Sequence, residues 1–349
     1  MKKILDVGYG KDTLHERYVK GLVSSRLLYG MEEIRKRGNY SVEECSLSDH
    51  KGIWGLIYNN ICVLKSSDYI FMSYIYISPL LLLALFKKIG LFKRKKIVGI
   101  SHTTIREKSG WIQNKLGMLV YGIFDKILFH SIKNMDESIL LGNVQPSKAL
   151  FFNWGDDLDF VDSNFPDKHF SNFFLSTGRE NRNYKILIEA FQNEEFQLQI
   201  YTNKSINENN YDYLESMIGL YPNILISLVD KSNETTLSLA RKTAECCCVV
   251  IPLIQDKINY CLGLTSIVEA MAYGKPIISS ENPYSPVDIE KERIGFVVKN
   301  IEEWKHAIRY IYENHQEALE MGKRARKLAE DIYNINNCSI QIEKVFDDL

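Results

Sequence analysis

Residues 262–278 read Leu262-Gly263-Leu264-Thr265-Ser266-Ile267-Val268-Glu269-Ala270-Met271-Ala272-Tyr273-Gly274-Lys275-Pro276-Ile277-Ile278. Gly263 marks a close backbone approach. Thr265 and Ser266 are good helix caps, and the apolar run to Ala272 predicts the helix they would open. The free N–H groups of such a helix start form a phosphate site. Glu269 shares a face with Ser266 by i, i+3 spacing, so its carboxylate can accept both hydroxyls of a ribose. Gly274 and Pro276 end the helix, and the next apolar residues read as a strand. Upstream, residues 246–252 run Cys-Cys-Cys-Val-Val-Ile-Pro, another buried strand, with the cysteines acting as small hydrophobes.

Working outward, the same alternation continues. Strands are expected at 173–176, 196–201, 224–229 and 295–298, and helices at 184–191, 211–220, 235–244, 301–313 and 317–333. In the first half, strands are expected at 4–7, 69–74, 96–101, 126–130 and 149–152. Helices are expected at 22–36, 53–64, from Ser78-Pro79 to Lys88, and near 110–124 and 135–141. Residues 156–172 are polar and rich in Asp and Asn, so they read as a linker. Strict strand–helix alternation predicts an α/β protein with two parallel, helix-covered sheets. Ligands of such sheets sit at the carboxyl ends of the strands, here expected in a cleft between the halves. The expected division is 1–160, 161–330 and a C-terminal helix at 331–349 that crosses back to the first domain.

The chain has 349 residues and a net charge of −1. Residues 1–160 hold 23 Lys/Arg against 16 Asp/Glu, whereas the remainder holds 20 against 28. The overall balance excludes a nucleic-acid-binding polycation, and the basic first half is expected to face an anion. Seven cysteines without a CxxC pair fit a reducing, cytoplasmic compartment. No long apolar core precedes Asp6, so no signal peptide is expected. Residues 69–86 are uncharged but divide into a strand and a short helix, too short to span a bilayer. The run Lys87-Lys88-Ile-Gly-Leu-Phe-Lys93-Arg94-Lys95-Lys96 follows that helix. Six cations beside an apolar stretch are expected to meet an anionic membrane surface or an acceptor, which would make the protein peripheral on the inner face of the membrane.

A second chemical motif is Ser176-Thr177-Gly178-Arg179-Glu180-Asn181-Arg182-Asn183-Tyr184. It follows a strand and precedes a helix. Gly178 permits a sharp turn, and Arg179 and Arg182 suit bidentate phosphate binding. There is no GxxxxGK[ST], HExxH or GxSxG, and Gly8-Tyr9-Gly10 is only a fragment of a dinucleotide turn.

Together these segments resemble the donor-binding domain of GT-B glycosyltransferases, notably the retaining group 1 family. Further matches are residues 152–160, similar to that family's inter-domain segment, and Leu228-Val229-Asp230-Lys231. The resemblance implies two Rossmann-like domains and a metal-independent glycosyltransferase with no cofactor. Its substrates would be a nucleotide diphosphate sugar and a glycan or polyprenyl-diphosphate-linked acceptor, as in bacterial surface polysaccharide synthesis. It implies donor-binding roles for Gly178, Arg179, Arg182, Val229, Gly263, Leu264, Thr265, Ser266 and Glu269, and a catalytic role for His102 at a strand end. The position of the family's first glutamate holds Cys261, which keeps open an inverting transferase or a non-catalytic GT-B partner. His15 and Asp12 are the alternative bases. Asp157-Leu158-Asp159 matches a metal-binding DxD only superficially, and no metal site is expected.

Overall fold

The computed structural model describes residues 1–9, 14–47, 67–90, 94–106, 110–166, 170–205, 209–229, 235–255 and 259–349. The expected helix at 53–64 lies outside them. The described chain divides into two compact units, one of residues 1–154 with 335–349, the other of residues 155–334. The division thus falls at 154/155 rather than 160/161, and the C-terminal helix belongs to the first unit from Ile335.

The first unit holds strands β1 (Lys2–Tyr9), β2 (Tyr40–Leu47), β3 (Tyr69–Met72), β4 (Lys96–Ser101), β5 (Lys126–Phe129) and β6 (Ala149–Phe151). They form one sheet in the order β2-β1-β3-β4-β5-β6, parallel throughout. Its helices are α1 (Leu14–Val19), α2 (Met31–Arg37), α3 (Ile77–Lys88), α4 (Trp111–Gly122) and α5 (Ile132–Leu140), with the C-terminal Ile335–Asp347. One face packs Ile70, Met72, Leu83, Phe124 and Phe129. On the C-terminal helix, Phe346 meets Tyr40, Tyr69 and Phe71, and Glu343 pairs with Arg37 at 2.7 Å. Gly30 is required there: its φ is +85°, and a Cβ would lie 2.7 Å from Ser339.

The second unit repeats the plan with α6 (Leu158–Asn164), β7 (Phe173–Thr177), α7 (Tyr184–Phe191), β8 (Gln197–Thr202), α8 (Tyr211–Met217), β9 (Ile224–Leu228) and α9 (Thr236–Glu245). It continues with β10 (Cys248–Ile251), α10 (Leu264–Ala272), β11 (Ile277–Ser280), β12 (Gly295–Val298), α11 (Ile301–Glu313) and α12 (His315–Asp331). The sheet order is β12-β11-β10-β7-β8-β9, again parallel, so both units are Rossmann-like. Cys246, Cys247 and Cys248 are buried, as the apolar run predicts.

Three expectations change. The linker at 156–172 contains helix α6, because Asp157 caps it by accepting from the Phe160 amide at 2.9 Å. Asp157 is therefore a helix cap. The helix expected at 22–36 is a 3-10 turn, Ser25–Leu28, followed by α2, because Tyr29 and Gly30 take left-handed backbone angles between them. Strand β2 was not expected at all.

Candidate functional site

In the second unit the site grows from the end of β7. Gly178 adopts φ +123°, and a Cβ there would stand 2.6 Å from the Arg182 guanidinium. Its carbonyl accepts the Tyr184 hydroxyl at 2.6 Å and the Thr202 hydroxyl at 2.8 Å, which fixes the turn. The loop is stitched to the end of β10: Asn183 N–H donates to the Pro252 carbonyl at 2.9 Å, and Ile254 N–H donates to the Asn181 carbonyl at 3.0 Å. Asn183 then caps α7.

This loop buries Arg182, which is 5% exposed. Its guanidinium donates to the Glu180 carbonyl at 2.9 Å and to the Ser266 hydroxyl at 3.3 Å, and its Nε has no partner. Burial lowers its pKa from the ordinary value, opposed by the nearby Tyr184 and Glu180. Arginine does not deprotonate in proteins, so a cation with an orphaned donor remains in a dry site. Such a site is stabilised by an arriving anion. Arg179 behaves differently: it is exposed, and its Nε pairs with Glu180 at 2.6 Å. The two arginines are not equivalent.

Ser266 stands in the first turn of α10. The cap of that helix is Gly263, at φ +79°, rather than Thr265 or Ser266. Glycine suits that position, because its φ is left-handed and a Cβ would stand 3.3 Å from Ile251 and Leu253. Leu264 is buried, Thr265 is exposed and Ser266 is buried beside Arg182. The opening amides of α10 and the Arg182 guanidinium thus share one locality, and both kinds of donor suit an anion. Glu269 is half-buried one turn further along α10. Val229 is half-buried just past β9, at the sheet edge, and Asp230-Lys231 lie outside the described residues. Cys261 packs before the helix, where burial pushes its thiol up to about 12, so it is uncharged at neutral pH.

In the first unit, His102 follows β4 as expected. Its Nε2 lies 2.9 Å from the Ser73 carbonyl, and its ring stacks on Tyr74 with centroids 4.4 Å apart. His130, at the end of β5, lies 5.1 Å from His102. Tyr29, Phe152 and Trp154 complete the cluster around them. Burial lowers the pKa of His102 and lowers that of His130 well below the ordinary value. The buried Nδ1 of His130 has no partner. Sequence reading missed His130 and Tyr74, although both follow strands of the same sheet.

Two other expectations separate. His15 joins an ion cluster, with Nδ1 3.2 Å from Glu32, while Arg35 bonds both Glu32 and Glu44. Asp12 lies outside the described residues. In the basic run, Lys87 is structural: it holds Asp125 and the Ile123 carbonyl, each at 2.7 Å. Lys96 also faces Asp125, at 3.6 Å, and Lys95 reaches Ser67 at 3.5 Å. Lys88 and Arg94 are exposed, and Lys93 is outside the described residues. The six cations are therefore not one free patch, because Asp125 recruits two of them to the fold.

Two parallel six-stranded Rossmann-like sheets define a GT-B protein. Residues 156–328, almost all of the second unit, match the family model for glycosyl transferases group 1. A search of curated protein sequences finds no match. Solved structures share the fold at low identity. A glycosyltransferase from Rickettsia africae has a TM-score of 0.68 at 15% identity, covering 99% of this chain and 98% of that one. Anabaena HepE, solved in complex with UDP-glucose, has a TM-score of 0.65 at 15% identity with full coverage of both chains. The UDP-GlcNAc 2-epimerase of Neisseria meningitidis, bound to UDP-GlcNAc, has a TM-score of 0.57 at 12% identity, covering 99% and 100%.

Proposed function

We propose that this glycosyltransferase takes its sugar from a nucleotide diphosphate sugar. The acceptor would be a glycan or a polyprenyl-diphosphate-linked glycan, in bacterial surface polysaccharide synthesis on the cytoplasmic face of the membrane. The observation that carries the donor reading is the orphaned, buried Nε of Arg182 beside the start of α10. Arg182 and the first amides of α10 would hold the diphosphate and stabilise the charge it gains on leaving, a task that needs no metal. Gly178 leaves room for that guanidinium. Glu269 accepts the ribose hydroxyls, and the backbone at Val229 flanks the base. His102 serves the transfer step as a neutral imidazole.

Cys261 favours one second reading. An uncharged thiol cannot replace a carboxylate electrostatically, so a non-catalytic GT-B partner would retain the nucleotide site and lack turnover. One experiment separates the readings. Nucleoside diphosphates and their sugars are screened by thermal shift, since binding raises stability with ligand occupancy. The best donor is then tested for transfer with and without EDTA. Stabilisation and EDTA-resistant transfer are expected. Stabilisation without transfer to any acceptor supports the partner reading, and loss on chelation with rescue by manganese contradicts metal independence.

A further inference from the structure

Helices α3 and α4 lie side by side in the first unit, with a groove between them. It encloses about 810 Å³ and is lined by Ala84, Lys88, Lys115, Leu116, Met118 and their neighbours. Trp111 is 71% exposed and Ile112 63% exposed, at the start of α4. Leu116 and Met118 continue that exposed edge, and Leu85 and Ile89 face solvent along α3 and just beyond it. Burying a tryptophan inside the fold would remove far more apolar surface from water than leaving it exposed. Contiguous exposed apolar side chains of this kind mark an interaction surface.

The charged side chains of the two helices have one sign. The sequences of α3, ISPLLLLALFKK, and α4, WIQNKLGMLVYG, contain three lysines and no acidic residue. Lys87 is spent on Asp125, whereas Lys88 and Lys115 are exposed. The Lys115 ammonium sits 4.0 Å over the Trp111 ring. A tryptophan capped by a lysine, beside aliphatic side chains, is the composition of a surface lying at the headgroup level of a bilayer. A symmetric contact with a second copy would instead set these lysines against each other. Among the described residues no helix is long and apolar enough to cross a membrane.

We propose that the α3–α4 face docks this protein on an anionic lipid bilayer, with Trp111 and Ile112 inserted at the headgroup boundary and Lys88 and Lys115 paired to lipid phosphates. This deepens the reading of a lipid-linked acceptor, but its test reads docking alone. It also moves the contact away from the basic run at 93–96.

The test uses the full chain and vesicles of phosphatidylglycerol or phosphatidylcholine at low salt. The wild type should co-sediment with phosphatidylglycerol, release as salt rises, and show a blue shift of tryptophan emission that Trp111→Phe removes. Trp111→Ser with Ile112→Ser should weaken binding at least tenfold, and Lys88→Ser and Lys115→Ser about fivefold each. Arg94→Ser should change binding less than either lysine variant. Unchanged circular dichroism and thermal melting show that each variant is folded, and nucleotide-induced stabilisation should be the same in all. The proposal is overturned if the wild type ignores phosphatidylglycerol, or if the Trp111/Ile112 variant binds like the wild type. A concentration-dependent dimer that the same variant dissociates would also overturn it. Failure here with intact nucleotide stabilisation leaves the donor reading standing.

Discussion

The two sheets present their carboxyl ends with opposite chemistry. In the second unit that edge holds a buried cation, Arg182, with a donor left over. In the first it holds two imidazoles kept neutral by burial among Tyr29, Tyr74 and Trp154. The architecture selects the same edge in both units, and side chains alone decide what each edge attracts. A desolvated cation selects an anion, whereas a neutral aromatic-lined cluster suits a polar, uncharged ring and proton handling near neutral pH.

Breaking the neutral side should have the largest effect. His102→Ala is expected to lower transfer by about 10²–10³, the usual scale for a proton-handling side chain, while nucleoside diphosphate affinity stays at wild type. Steady-state kinetics beside calorimetry check this, and a loss of affinity equal to the loss of rate would count against the assignment.

Next comes the cation's seat. Gly178→Ala places a methyl group 2.6 Å from the Arg182 guanidinium and strains a backbone at φ +123°. It should weaken diphosphate binding by roughly 1–3 kcal/mol, the cost of misplacing a charged hydrogen-bond donor, with little change in affinity for the free nucleoside. Equal losses for nucleoside and diphosphate would show that the turn, not the cation, had been damaged.

The smallest effect concerns acid stability. His130 is buried, and its pKa is depressed, so the unfolded chain binds the proton more readily. Its contribution to stability is present above the unfolded value of 6.5 and is lost as pH falls below it. His130→Phe should remove this acid-side loss, seen as a flatter dependence of melting temperature on pH between 7 and about 5. An identical slope in the variant would mean that the imidazole is not held neutral.

Much of the second unit was legible because its signals are local. Gly178, Arg182, Gly263 and Ser266 sit in short strand–turn–helix units whose parts lie within a few residues of each other. What distinguishes Arg182 from Arg179 is not local: besides the nearby Glu180 carbonyl, Arg182 meets Ser266, 84 residues away. The same holds for Lys87, which looked like part of a free basic run until Asp125 met it across the fold. Strand β2 carries Glu43 and Glu44, which interrupt its apolar pattern. In the fold Glu43 pairs with Lys3 at 3.2 Å and Glu44 pairs with Arg35. Helix α6 was hidden because Asp and Asn read as linker residues, although Asp157 is its cap.

One buried arginine, Arg182, whose guanidinium reaches the start of α10, is expected to hold the donor's diphosphate. Isothermal titration calorimetry tests it most directly, with the best-binding nucleoside diphosphate from the thermal screen titrated into wild type, Arg182→Ala and Arg179→Ala. Arg182→Ala should lose about 3 kcal/mol of binding free energy, the upper range for a hydrogen bond to a charged group. Arg179→Ala should lose less than about 1 kcal/mol, as for an exposed ion-paired side chain. Wild-type affinity in Arg182→Ala, or equal losses in both variants, would contradict the account.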